Sequence, residues 1–323
     1  MGFDIRIVRA AVRATTGTQD FTVSGFGTPK AALFIYSDGE TNGVINTDIR
    51  FSMGATDGTR QRMVYTESND GSAATSIERG AFTNRVFDRG SSTESGAFNS
   101  WITDGVRLDI TQVSGFQKLL TVVLFTGSDL SARVDDVTFS TQNTLVQYTT
   151  MGFEADLLLT FGAGRTFANA NDGYGHFSLG AVHNTGSGEP QRGIIAAEAG
   201  GQASGEPYMR LETDSAGGQV NHATGAITWS ADFSNFGSTG FHCHARDGAS
   251  GGDEIGFLAL AFNSTARIYL DTVDSPTTSS LNSNTSPGFD PVFSWSYLTG
   301  LEAIDTSATD STAGVFGGHV YDG

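Results

Sequence analysis

Lysine is nearly missing from this 323-residue sequence, which has only Lys30 and Lys118 against 16 arginines. With 35 Asp and Glu against 18 Lys and Arg, the formal net charge is −17. A chain of that sign repels phosphate backbones, which excludes nucleic-acid binding by bulk electrostatics. Cysteine occurs once, at Cys243, so no disulfide can form within one chain. No apolar run reaches the roughly 18 residues of a spanning helix, so no membrane insertion is expected. The opening stretch Met1–Arg13 carries Arg6, Arg9 and Arg13 and no long apolar core, unlike a secretory signal. Arg6 stands where myristoylation needs Ser or Thr. Helical periodicity is scarce too. The best candidate, GIIAAEAGG (193–201), is boxed in by glycine. Charged residues make up 16%, against about 25% in an average domain, and the Ala/Glu/Lys/Leu wealth that a coiled coil or helical bundle needs is missing.

What is abundant is turn and strand chemistry. The chain has 42 Gly, 70 Ser plus Thr, and 34 aromatic residues, of which 23 are Phe. That much aromatic surface builds a core and excludes ordinary disorder. Landmarks recur in order along the chain. Gly25-Phe26 returns as Gly152-Phe153 and again as Gly288-Phe289. Phe51-Ser52-Met53-Gly54-Ala55 returns as Phe177-Ser178-Leu179-Gly180-Ala181, and Gln61-Arg62 as Gln191-Arg192. Gly105-Val106 returns as Gly240-Phe241, and Ala132-Arg133-Val134 as Ala266-Arg267-Ile268. Ordered matches at one slowly drifting offset imply tandem copies of one fold.

Within each copy, short apolar runs such as AALFIY (31–36), LLTVVLF (119–125) and GFLALAF (256–262) alternate with turns such as SDGETNG and RDGASGGDE. The expected fold is all-β, with about eight strands per copy in two tandem antiparallel β-sandwich, jelly-roll-like domains. Residues 1–14 form an N-terminal strand or arm, 15–140 the first repeat and 141–280 the second. Residues 281–323 open a third, partial repeat or assembly arm, expected to pack on its neighbours or pair with another subunit.

The segment Gly25-Phe26-Gly27-Thr28-Pro29-Lys30-Ala31, followed by Phe51, Gly54, Asp57 and Gly58, resembles repeats of tailed-bacteriophage virion surface proteins. The second copy departs from it, with Glu154 and Ala155 near the proline position. The resemblance implies a structural or adsorption role on a virion and carries no catalytic residue across. It implies synthesis in a host cytoplasm and release by lysis, in keeping with the missing signal. Expected partners are other virion proteins and copies of the same chain, as a trimer, with a host surface glycan as a further candidate.

No residue is assigned a catalytic role, and no cofactor is expected. The strongest metal seed is FHCHARD. On a strand, His242 and His244 share one face, with Asp247 or His222 as a third ligand, while Cys243 faces the core. Two related ligands are fewer than a structural site needs, and exposed or hydrogen-bonded histidines are the simpler reading. Glu154/Asp156 and Asp135/Asp136 offer carboxylate pairs for a glycosidase, a solvated β-surface being the alternative. GAGRTFANANDGYG (162–175) lacks the Lys-Ser/Thr of a phosphate loop and the spacing of a calcium loop, so NANDG reads as a turn. Trp101, Trp229, Trp295, Tyr65, Tyr174 and Tyr208 are either a glycan platform or core. The sequence therefore favours a non-enzymatic virion structural protein. A carbohydrate-binding adsorption protein comes second and a polysaccharide depolymerase third.

Overall fold

The computed structural model describes residues 2–37, 49–68, 78–90, 93–113, 118–186, 188–198, 207–248, 252–262, 268–270, 293–298, 307–309 and 315–320. Among them there is no helix, and every strand pair is antiparallel. The first sandwich comprises β1 (Asp4–Ala11), β2 (Gly17–Thr22), β3 (Ala31–Ser37), β4 (Ile49–Thr56), β5 (Gln61–Ser68), β6 (Glu78–Phe82), β7 (Phe87–Asp88), β8 (Ser95–Ile102), β9 (Gly105–Gln112) and β10 (Leu119–Thr126). Its large sheet runs β1-β10-β3-β4-β5-β6 and its small sheet β2-β9-β8-β7.

The second sandwich repeats this plan with β11 (Leu130–Thr138), β12 (Val146–Tyr148), β13 (Leu157–Arg165), β15 (Gly175–His183), β16 (Gln191–Glu198), β17 (Pro207–Glu212), β18 (Gly218–Val220), β19 (Ile227–Gly237), β20 (Gly240–Ala245) and β21 (Glu254–Phe262). Its large sheet is β11-β21-β13-β15-β16-β17 and its small sheet β12-β20-β19-β18. In each sandwich the first two strands pair with the last two across both sheets, which is the jelly-roll wrap, while the remaining strands meander.

Pairing moves the repeat boundaries. β1 pairs with β10 along its whole length, Asp4 opposite Thr126 to Ala11 opposite Leu119, so it is the first strand of the first sandwich rather than an arm. β11 pairs with β21 in the same way and opens the second sandwich at Leu130, not 141. Among the described residues each copy has ten equivalent strands rather than eight, because pieces as short as Phe87–Asp88 complete the small sheets.

The layer order is written in the strand patterns. Ala32, Phe34 and Tyr36 of β3 face the small sheet, while Ala31 and Leu33 face the second sandwich. Buried on both sides, β3, β10, β13 and β21 read as continuous apolar runs. Small-sheet strands β9 (GVRLDITQ) and β20 (GFHCHA) have one wet face, so they alternate. The two large sheets therefore lie back to back between the small ones, a four-layer stack.

The recurring glycines have steric reasons. Gly25 and Gly152 turn the chain at φ +78° and +80°, where a side chain would be strained. A Cβ on Gly105 would sit 2.0 Å from the Phe21 carbonyl oxygen, and one on Gly240 1.7 Å from that of Tyr148. Those are matching contacts between β9 and β2 and between β20 and β12.

The third repeat is described as β22 (Phe293–Leu298), β23 (Ser307–Thr309) and β24 (Val315–Val320). β22 pairs with β24, as β3 pairs with β4 and β13 with β15.

Candidate functional site: the seam between the sandwiches

The seam is built first from apolar surface. Leu33, Met53, Ala55 and Val64 of the first large sheet share one cluster with Leu159, Leu179, Ala181 and Ile194, their equivalents in the second. Packing is head to tail. β4, β5 and β6 lie over β11, β13, β15 and β21, so different halves of the same face meet. Near the crossing Phe51 meets its own equivalent, Phe177, at 5.7 Å between ring centroids.

The second component is strand donation. β14 (Ala170–Asp172) leaves the second sandwich between β13 and β15 and pairs with β6, Ala170 opposite Ala81. This corrects the reading of NANDG as a turn. Asn169 takes the turn conformation at φ +55°, and the next three residues become an edge strand. Asn169 Oδ1 accepts from the Thr83 backbone N–H at 2.7 Å. Asn171 Nδ2 donates to Glu78 Oε2 at 2.9 Å, which also accepts from Tyr65 Oη at 3.1 Å. One repeat later, β23 pairs with β17, Tyr208 opposite Thr309.

Ion pairs clamp the other edge. Arg62 Nη2 donates to Asp135 Oδ1 at 2.9 Å, and its Nε reaches Asp136. Asp135 also meets Arg60 Nε at 3.3 Å, Arg133 Nη2 at 3.2 Å and the Tyr148 hydroxyl at 2.7 Å. Asp57 Oδ2 accepts the Val134 amide at 2.9 Å. Asp135 and Asp136 are thus mostly buried clamps rather than solvated surface acids. Lys30 Nζ donates to the carbonyls of Leu130 (2.8 Å) and Ser128 (3.3 Å), which ties the Gly-Phe turn to the link between sandwiches. Its equivalent Asp156 fixes the matching strand with opposite charge, its carboxylate accepting from the Phe262 amide at 2.6 Å.

Beside β14 the seam buries two arginines and a histidine. Arg79 on β6 donates from Nη1 to the Ala163 carbonyl at 3.0 Å and from Nη2 to Asp172 Oδ2 at 3.4 Å. Gly164, at φ +58°, brings the backbone so close that a Cβ there would lie 2.8 Å from Arg79 Nη1. The same Cβ would lie 3.0 Å from both Gln219 Nε2 and His176 Nδ1. His176 on β15 is 2% exposed. Burial, with Arg79 and His222 nearby, pushes its pKa well below the usual histidine value. Burial also lowers that of Arg165 at the end of β13, with Asp172 opposing the shift. Among the described residues, Arg79 Nε, Arg165 Nε and Nη1, and both ring nitrogens of His176 are buried with no hydrogen-bond partner.

The residues singled out in the sequence are dispersed. His242 and His244 share the outer face of β20 and Cys243 points into the core, as expected. His242 Nδ1 lies 3.3 Å from Asn235 Nδ2, and His244 Nε2 lies 3.6 Å from Asp232. Asp247 accepts from Ser230, and His222 stacks on Tyr174 at 4.3 Å. Among the described residues no three His, Cys, Asp or Glu converge as a metal group. Glu154 accepts from Asn184. Trp229 is fully buried, its Nε1 donating to Asp253 at 3.0 Å. Trp101 is half-buried, edge-on to Phe98 at 4.8 Å, and Tyr65 is buried. Tyr208 is half-buried, and its hydroxyl meets the Ala223 carbonyl at 3.3 Å. Trp295 lies on β22, and its side chain is outside the described residues. Tyr174 stays exposed at 38%.

Sequence reasoning missed Arg79, Arg165 and His176, which come from three strands and two repeats. The available signal was register. At the position of His176 the first repeat has Arg50, opposite Glu67, whereas His176 stands opposite Ala197. No family model, no curated protein and no solved structure matches the chain.

Proposed function

We propose that the chain is a non-enzymatic structural protein exposed on a tailed-bacteriophage particle, as a tail or baseplate appendage or a capsid decoration. It works by forming symmetric assemblies, as trimers, with copies of itself and other virion proteins. It is made in the host cytoplasm and leaves by lysis. The observation that carries this reading is the strand loan repeated along the chain. β14 extends the sheet of the sandwich before it, and β23 does the same one repeat later. Strand addition converts an exposed sheet edge into a specific joint, and the same device serves between subunits. The phage assignment rests on the Gly25–Ala31 and Phe51–Gly58 motifs and on composition.

Light scattering at micromolar concentration tests the assembly role. A trimer mass is expected, and a strict monomer refutes it. Antibody labelling of particles tests the location, with label on the particle surface expected. A glycan-binding adsorption role has one observation in its favour, the exposed Tyr174 stacked on His222, a ring face suited to sugars. Binding to host glycans that Tyr174→Ala abolishes would establish that role instead.

A further inference from the structure

We propose that Arg79, Arg165 and His176 form a binding site for a small monovalent inorganic anion of the halide class, buried at the seam. Five side-chain nitrogens there, namely Arg79 Nε, Arg165 Nε and Nη1, and His176 Nδ1 and Nε2, have no hydrogen-bond partner and are shielded from water. Leaving a buried polar group unpaired is destabilising, and more so when it is charged. Folded proteins therefore satisfy such groups almost everywhere.

The sign of the ligand follows from the donor set. Guanidinium nitrogens only donate, so a cation or an apolar group satisfies none of them. The nearest acid to Arg79, Asp172, is reached by Nη2 at 3.4 Å, and its side chain is 47% exposed, leaving the inner nitrogens unserved. Register makes the same point. In the first repeat the cation Arg50 has a carboxylate opposite, with Arg50 Nε 2.7 Å from Glu67 Oε1. In the second, His176 faces Ala197, whose side chain offers no acceptor for the ring N–H. Size follows from tight packing. The unpartnered atoms expose almost no surface, so the ligand is a compact ion rather than one that brings its hydration shell. The φ of Gly164, which side chains rarely adopt, and its missing Cβ let three polar groups converge against its backbone.

The test is thermal unfolding of the full chain in sodium chloride against sodium gluconate at equal ionic strength. The midpoint should rise by about 2–4 °C for each tenfold increase in chloride above the dissociation constant. Arg165→Met should remove that rise, and Arg165→Lys should restore part of it. Sulfate stabilises by exclusion from the surface, so its effect should be the same in wild type and Arg165→Met. Equal midpoints in chloride and gluconate overturn the proposal, as does a chloride response that survives Arg165→Met. If Arg165→Met does not fold, chloride-35 linewidths of the wild-type protein decide. Broadening that bromide competes away supports the site, and free-ion linewidths overturn it.

Discussion

The two sandwiches solve the same packing problem with different charges at one register position. In the first, Arg50 on β4 stands opposite Glu67 on β5, and the pair is mostly buried and ionic. In the second, His176 on β15 stands opposite Ala197 on β16, and the imidazole is buried without a partner in the protein. Other equivalent positions keep the same bond. Gln61 Oε1 accepts the Phe98 amide and Gln191 Oε1 the Phe233 amide, both at 2.9 Å. A repeat can therefore hold its scaffold contacts fixed while a single cross-strand pair drifts from self-sufficient to dependent on something outside the sheet. The drift falls where the first repeat's Arg79 enters the second, so the difference belongs to the seam rather than to either fold alone.

The largest expected effect comes from making the first sandwich resemble the second. Glu67→Ala leaves Arg50 without its buried carboxylate and should cost about 3–5 kcal/mol in urea unfolding; a cost below 1 kcal/mol would show that the pair is not structural. Next is Gly164→Ala, which imposes a side chain on a left-handed φ and displaces Arg79, Gln219 and His176. A loss of about 1–3 kcal/mol is expected, together with a weakened chloride response. Arg62→Met removes the clamp on Asp135 and Asp136, while Arg60 and Arg133 still serve Asp135. Urea unfolding should show a loss of about 1–3 kcal/mol.

A smaller effect concerns pH. His176 faces Arg79 and His222, and its folded pKa lies well below the ordinary 6.5. Below pH 6.5 the unfolded chain takes up a proton that the folded chain refuses. Stability is therefore complete above that pH and falls by up to about 1.4 kcal/mol per pH unit beneath it. In gluconate buffer, His176→Phe should flatten the denaturation profile between pH 6.5 and 5. An unchanged slope would assign the dependence to other groups, His183 among them, since burial lowers its pKa too. The smallest effect is expected at Tyr174→Ala, where an exposed ring is removed and unfolding should be unchanged.

The fold was largely legible because its cause is local. Continuous apolar runs such as AALFIY and GFLALAF belong to strands covered on both faces, and FHCHARD to a strand with one wet face. The repeated glycines marked turns and strand contacts that no side chain tolerates. The boundaries were not legible. DIRIVRAA looks like an arm until β10 pairs with it, and sheet partners more than 100 residues apart leave no local trace. The candidate site was hidden for the same reason. Asp135 and Asp136 look like surface acids until Arg62 reaches them, and NANDG looks like a turn until β6 offers an edge.

Strand chemistry, the tandem copies and the overall acidity follow from residue type and spacing along the chain, without reference to folded neighbours. Long-range packing set the back-to-back meeting of the large sheets, the addition of β14 and β23 to the sandwich before each, and the gathering of two arginines and a histidine out of water. Those outcomes depend on which faces and edges are left over once each sandwich has closed, a property of the assembled surfaces and not of any segment.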